Sequence, residues 1–250
     1  MKKLLFGLVL LALTWTGHRC GLAFQVAAAA DRDYAAIRKQ MVEEQLKGPG
    51  RGIKNPRVLE AMLSVPRHEF VPDLFRFQAY ADHPVAIGHG QTISQPYIVA
   101  FMTEQLDPKP TDHVLEIGAG SGYQAAVLSG LVAKVYTMEI VEPLGRRAEA
   151  TLQRLNFKNV KVKVGDGYQG WPEFAPFDAI IVTCAPDHVP RPLIEQLKEG
   201  GRMIIPVGER DEQSLYLLVK SGQEVKRRAV LPVRFVPMTG QSDRAKPNKK

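Results

Sequence analysis

The chain has 250 residues, 45% of them apolar, which suits one large domain with a buried core and excludes an intrinsically disordered protein. Its formal charge is +7, but Lys2, Lys3 and Arg19 fall in an acid-free N-terminal stretch, so the chain beyond residue 30 carries only +4. That excess is too small for a nucleic-acid surface, and part of it lies in a solvated basic tail, residues 241–250.

At the N-terminus, Lys2 and Lys3 precede the apolar run Leu4 to Leu13, and the small residues Ala27 to Ala30 offer cleavage positions before Asp31. Residues 1–30 therefore read as a secretory signal peptide or an N-terminal anchor, and the run is shorter than the roughly 20 residues of a membrane span. Export, to the periplasm in a bacterium, is the expectation, with no stable span after cleavage. With Cys20 in this segment, Cys184 stands alone and no internal disulfide forms. The six histidines make no HExxH or closely spaced pair, so no metal is expected.

Residues 31–106 read as a small helical, substrate-side segment. Ile37, Met41, Val42 and Leu46 give Tyr34–Leu46 a helical period that ends at Gly48-Pro49-Gly50. A second helix over Pro56–Leu63 has Asn55 as its cap and Pro56 at its first position. Phe70–Gln95 mixes aromatics, Pro and Gly without a period and reads as ordered but irregular, the kind of long segment that usually carries function. Within it, Phe75, Phe77 and Tyr80 read as core packing.

After a helix over Pro96–Gln105, residues 107–240 alternate strand and helix: strands at 114–117, 134–140, 160–164 and 178–183, with helices at 122–130, 142–155 and 190–198 between or after them. Later strands are expected at 202–207, 215–220 and 230–236. The pattern predicts an α/β fold, a Rossmann-like, mostly parallel sheet with helices on both faces and ligands bound beyond the carboxyl ends of its strands.

At the first of these ends stands Glu116-Ile117-Gly118-Ala119-Gly120-Ser121-Gly122. Gly118 and Gly120 let the backbone approach a ligand, but the third glycine falls at 122, giving GxGxG where dinucleotide-binding folds have GxGxxG. Glu139 ends the next strand, at the separation where a carboxylate meets ribose hydroxyls. Glu116 and Asp166, the latter in Gly165-Asp166-Gly167, put carboxylates at neighbouring strand ends, one to meet an amino acid ammonium and another an adenine amino group. Three acids around one glycine loop point to S-adenosyl-L-methionine, and the loop spacing speaks against a nicotinamide enzyme.

The fourth strand runs into Thr183-Cys184-Ala185-Pro186 and not into the Asn/Asp-Pro-Pro-aromatic motif of enzymes that methylate amide or exocyclic nitrogens, which weakens a nucleic-acid substrate. Over residues 34 to 240 the chain resembles the protein-L-isoaspartate O-methyltransferase family. The most specific match is Gly90-Gln91-Thr92-Ile93-Ser94-Gln95-Pro96-Tyr97, supported by Val65-Pro66-Arg67, Phe70-Val71-Pro72, Gly165-Asp166-Gly167, Gly200-Gly201-Arg202 and Arg234-Phe235-Val236-Pro237. The resemblance implies methyl transfer from S-adenosyl-L-methionine to the α-carboxylate of isoaspartyl residues in damaged proteins by a monomer, with Ser94 as the active-site hydroxyl. It further implies a cofactor site of Gln91, Thr92, Ile93, Glu116, Gly118, Gly120, Glu139, Asp166, Gly167 and Thr239. Cys184 stands where the family pattern has a small residue and reads as a buried thiol. Ser94 lies in no GxSxG elbow, so a serine hydrolase is disfavoured. The residues alone stay compatible with a methyltransferase for another carboxylate or a small molecule and with a non-catalytic cofactor binder.

Overall fold

The computed structural model describes residues 33–209, 212–222 and 224–241. The expected signal segment, Cys20 and the tail beyond Gln241 lie outside them. Chain order begins with α1 (Tyr34–Met41), which passes into a π turn at Val42–Leu46, and α2 (Pro56–Ser64). The cap on α2 forms as expected, with Asn55 Oδ1 accepting from the Arg57 N–H at 3.0 Å.

The segment read as irregular holds two 3₁₀ turns, Arg67–Phe70 and Asp73–Gln78, and an antiparallel hairpin of β1 (Val85–Gly88) and β2 (Gln91–Ile93). Its strands are too short to show a period, and its tip is made by three consecutive left-handed residues, Gly88, His89 and Gly90, with φ of 92°, 54° and 70°. Phe77, expected in the core, is 59% exposed, whereas Tyr80 is buried and Phe75 packs partly buried against the core.

After α3 (Pro96–Leu106) come β3 (His113–Ile117), α4 (Tyr123–Ser129), β4 (Lys134–Glu139), α5 (Glu142–Arg154), β5 (Val160–Val164) and β6 (Phe177–Val182). The last elements are α6 (Arg191–Glu195), β7 (Leu197–Val207), β8 (Gln213–Ser221) and β9 (Glu224–Val233). Helix α6 stops short of the expected residue 198 because β7 already begins at Leu197, ahead of Gly200-Gly201. β9 is shifted the other way, starting before residue 230 and ending before the expected 236.

The seven strands lie in the order β5-β4-β3-β6-β7-β8-β9, parallel from β5 to β7 and antiparallel at β8 and β9. From β3 the chain moves outward to β4 and β5, then returns to place β6 on the other side of β3. This reversal makes β3 and β6 the switch point beyond whose carboxyl ends a crevice opens.

Strand periodicity of two sorts the core into faces. Val114, Val135, Ala179 and Ile204 join the cluster built with α1 to α4, while their neighbours Leu115, Tyr136, Ile180 and Met203 join one with Trp171, Phe177 and Leu193. The N-terminal helices thus share a core with the sheet, and each fully buried aliphatic side chain there contributes about 2 kcal/mol.

Candidate active site

The glycine loop leaves β3 with Gly118, Gly120 and Gly122 all left-handed, at φ of 96°, 53° and 89°. A Cβ on Gly118 would stand 2.5 Å from Thr183 Oγ1, the hydroxyl that donates to the Gly118 carbonyl at 2.6 Å. The Gly118 and Ala119 N–H groups both donate to the Met138 carbonyl, at 2.8 and 2.9 Å, which ties the loop to β4. At the end of β4, Glu139 is 6% exposed and accepts from the Gly120 N–H at 2.7 Å and the Val141 N–H at 2.9 Å. These bonds fix the carboxylate on the cleft rim, where lone pairs not used by the backbone can accept from hydroxyls.

Glu116 is different. It is fully buried, it lines the cleft, and among the described residues no donor, the nearby Thr137 hydroxyl included, meets either carboxyl oxygen with hydrogen-bond geometry. Burial pushes its carboxyl up to about 8; the Thr137 hydroxyl opposes the rise and the Glu139 carboxylate adds to it. A buried polar group without a partner is costly, so this side chain is built for a donor that arrives with a ligand. Cys184, a free thiol lining the same wall, is pushed up to about 12 by desolvation and by the Glu139 and Glu116 charges. The sequence reading has this thiol buried, whereas it is half-buried on the cleft wall.

Over the loop arches the hairpin. Ile87 Cδ1 lies 3.4 Å from the place a Cβ on Gly120 would take, and Arg147 on α5 donates to the Ile87 carbonyl. The chain then passes through Gln91, Thr92 and Ile93 to Ser94, whose carbonyl accepts from Arg67 at 2.7 Å while its Oγ has no protein partner among the described residues. The opposite wall is a strap after β9. Ala185 N–H donates to the Val236 carbonyl and Met238 N–H to the Ala185 carbonyl, both at 2.8 Å, which holds Val236 to Thr239 against the cleft.

Loop, hairpin and strap enclose a cleft of about 870 Å³, its open mouth included. Ten of the eleven residues singled out from sequence line it: Ser94, Gln91, Thr92, Ile93, Glu116, Gly118, Gly120, Glu139, Gly167 and Thr239. Asp166 stands just behind them, its Oδ1 accepting from the Tyr168 N–H at 3.0 Å and its Oδ2 from the Gln241 N–H at 2.6 Å. Sequence reasoning takes the last strand near Val236 as a candidate wall, and Val236 lines the cleft, but it missed Arg67, Thr183, Pro237 and Met238 as parts of the site. Only the match at Val65-Pro66-Arg67 and the Pro237 after the last strand hinted at them.

A backbone cradle that a Cβ would fill, a rim carboxylate one strand along and a buried acid awaiting a cation suit the glycyl approach, ribose and ammonium of S-adenosyl-L-methionine. Together with the sheet order they define a Rossmann-like methyltransferase dependent on that cofactor. Within this class the chain belongs to the protein-L-isoaspartate(D-aspartate) O-methyltransferase family, whose model matches residues 37–243. It is 55% identical to protein-L-isoaspartate O-methyltransferase 1 of Cupriavidus necator over 85% of this chain and 86% of that one. Identity to the Opitutus terrae protein-L-isoaspartate O-methyltransferase is 50%, over 96% and 98% of the two chains. A Plasmodium falciparum structure bearing the same family name, solved with S-adenosyl-L-homocysteine, superposes with a TM-score of 0.70 at 28% identity, covering 84% of this chain and 99% of that one.

Proposed function

We propose that the chain methylates the α-carboxylate of isoaspartyl residues in damaged proteins, so initiating their repair, and acts as a monomer without nucleic acid. The observation that carries the reading is the position of Ser94. It ends the segment Gln91 to Ser94 on the cleft wall, opposite the glycine loop, with its hydroxyl free to donate.

When bound, S-adenosyl-L-methionine supplies an electrophilic methyl group on a sulfonium. The chain's own task is to bring a carboxylate oxygen into line with it. A carboxyl with an ordinary pKa of about 4 is already ionised and nucleophilic at neutral pH, so no base is required. Ser94 Oγ donates one neutral hydrogen bond, which orients the carboxylate while leaving it more nucleophilic than an Arg or Lys partner would. Gln91 to Ile93 and the strap from Val236 to Thr239 keep water from the reacting oxygen. Glu139 would hold the ribose end and Glu116 the ammonium end of the cofactor, with Gly167 and Asp166 toward the adenine.

Incubation with labelled S-adenosyl-L-methionine and paired isoaspartyl and aspartyl peptides tests this. Base-labile methyl esters on the isoaspartyl peptide alone support the reading. Equal labelling of both peptides points to a broader carboxyl methyltransferase, and no labelling with retained cofactor binding points to a non-catalytic binder; either result overturns it.

The N-terminal segment supports export, although the methyl donor is made in the cytoplasm. Cell fractionation with N-terminal sequencing decides between them: a mature form beginning near Asp31 outside the cytoplasm supports export, and a full-length cytoplasmic form defeats it.

A further inference from the structure

Arg67 is among the largest fully buried side chains of the protein, at 0% exposure. Its guanidinium touches three parts of the molecule. Nε donates to the Ala79 carbonyl at 2.5 Å, one terminal nitrogen donates to the Ser94 carbonyl at 2.7 Å, and the plane lies 4.8 Å from the centre of the Tyr123 ring. Tyr123 opens α4 directly after the glycine loop and itself lines the cleft. One rigid cation therefore bridges the element that carries the active-site hydroxyl and the element that cradles the cofactor.

No carboxylate pairs with Arg67 among the described residues, and its other terminal nitrogen, Nη1, has no hydrogen-bond partner. Burial pulls its pKa down to about 10, with the neighbouring Tyr123 and Tyr80 opposing the fall, so the group stays charged at neutral pH. An unpaired buried cation is costly, and two carbonyls could be capped by a neutral donor at lower cost. The charge is explained if its counter-ion comes with the substrate.

We propose that Arg67 is a positioning residue for methyl transfer: it sets Ser94 relative to the glycine loop and leaves an uncompensated positive field beneath Ser94 that draws in the carboxylate of the acceptor. This rests on the carboxyl methyltransferase reading above. The two functions separate by substitution. Lys keeps the charge but has no planar fork to span both carbonyls and stack on Tyr123, whereas Met keeps the volume and loses both.

The experiment measures methylation of an isoaspartyl peptide and binding of S-adenosyl-L-homocysteine for wild type, R67K and R67M. Wild-type activity on the peptide is the control on which the functional reading itself stands or falls. With that activity in hand, R67K is expected to lose about a hundredfold in kcat with little change in peptide KM, because the hydroxyl is misplaced and the field kept. R67M should lose kcat similarly and also raise KM, while both bind S-adenosyl-L-homocysteine within about twofold of wild type.

A folded R67K with wild-type kcat overturns the proposal. So does loss of kcat and of S-adenosyl-L-homocysteine binding in parallel, which marks a purely structural role. Should the variants fail to fold, nitrogen-15 NMR of the wild-type guanidinium groups takes their place. The Arg67 signals are expected to shift when isoaspartyl peptide is added to the S-adenosyl-L-homocysteine complex, and to be unmoved by the matching aspartyl peptide. Absence of that selective shift overturns the proposal as well.

Discussion

Replacing Glu116 by Gln should make the cofactor-free protein more stable and the cofactor site worse. The side chain is fully buried with both oxygens unpartnered among the described residues, and burial raises its carboxyl from an ordinary 4.5 to about 8. At pH 7 the unfolded chain has given up this proton and the folded chain keeps it, so folding must take one up. At 1.36 kcal/mol per pH unit, that uptake costs about 3 kcal/mol at pH 7. The sign follows from the raised value: the cost is absent well below pH 4.5, grows as pH rises through it, and levels off above pH 8. Gln is the neutral analogue and escapes it. Thermal melts of the cofactor-free protein should therefore show the variant only about 2–3 °C more stable than wild type at pH 5 and roughly 6–12 °C more stable at pH 7, the size expected for about 3 kcal/mol in a domain of this length. Calorimetric titration with S-adenosyl-L-homocysteine should show the variant about 10- to 100-fold weaker, the worth of a lost charged hydrogen bond. Equal melting at both pH values, or undiminished affinity, would refute the assignment of Glu116 as an acid held in reserve for the cofactor's ammonium.

Ser94→Ala removes only the free hydroxyl and should lower kcat markedly while S-adenosyl-L-homocysteine binding stays nearly intact; full activity would remove the proposed role. Gly118→Ala combines a left-handed φ of 96° with a Cβ 2.5 Å from Thr183 Oγ1, and should cost about 1–3 kcal/mol in a denaturant melt as well as weakening cofactor binding. Cys184, pushed up to about 12, should react with iodoacetamide at pH 8 about a hundredfold or more slowly than a free thiol, in a Cys20→Ala background, and at an ordinary rate once unfolded.

The cofactor half of the site was legible because its geometry is local. Gly118, Gly120 and Gly122 announce left-handed backbone by their identity, and Glu139 lies one helix and one strand downstream of the loop, a separation the βα repeat fixes. The substrate half was legible only through the match at Gly90 to Tyr97. The hairpin that carries it pairs through three register positions, and the left-handed His89 at its tip has no residue signature of its own. β9 was placed late because Lys226, Arg227 and Arg228 break its alternation, yet it pairs with β8 along its whole length. Asp166 was expected to face a ligand, and its two backbone partners, one of them 75 residues away, could not be foreseen from composition. Arg67 carries no mark of burial in the sequence, and only the fold brings Ala79, Ser94 and Tyr123 around it.

The strap from Val236 to Gln241 carries a consequence for C-terminal truncation. The sheet is complete at Val233, but the far wall of the cleft and the N–H that meets Asp166 belong to the next eight residues. A product truncated just after β9 would therefore keep every strand of the sheet and lose the far wall of its pocket.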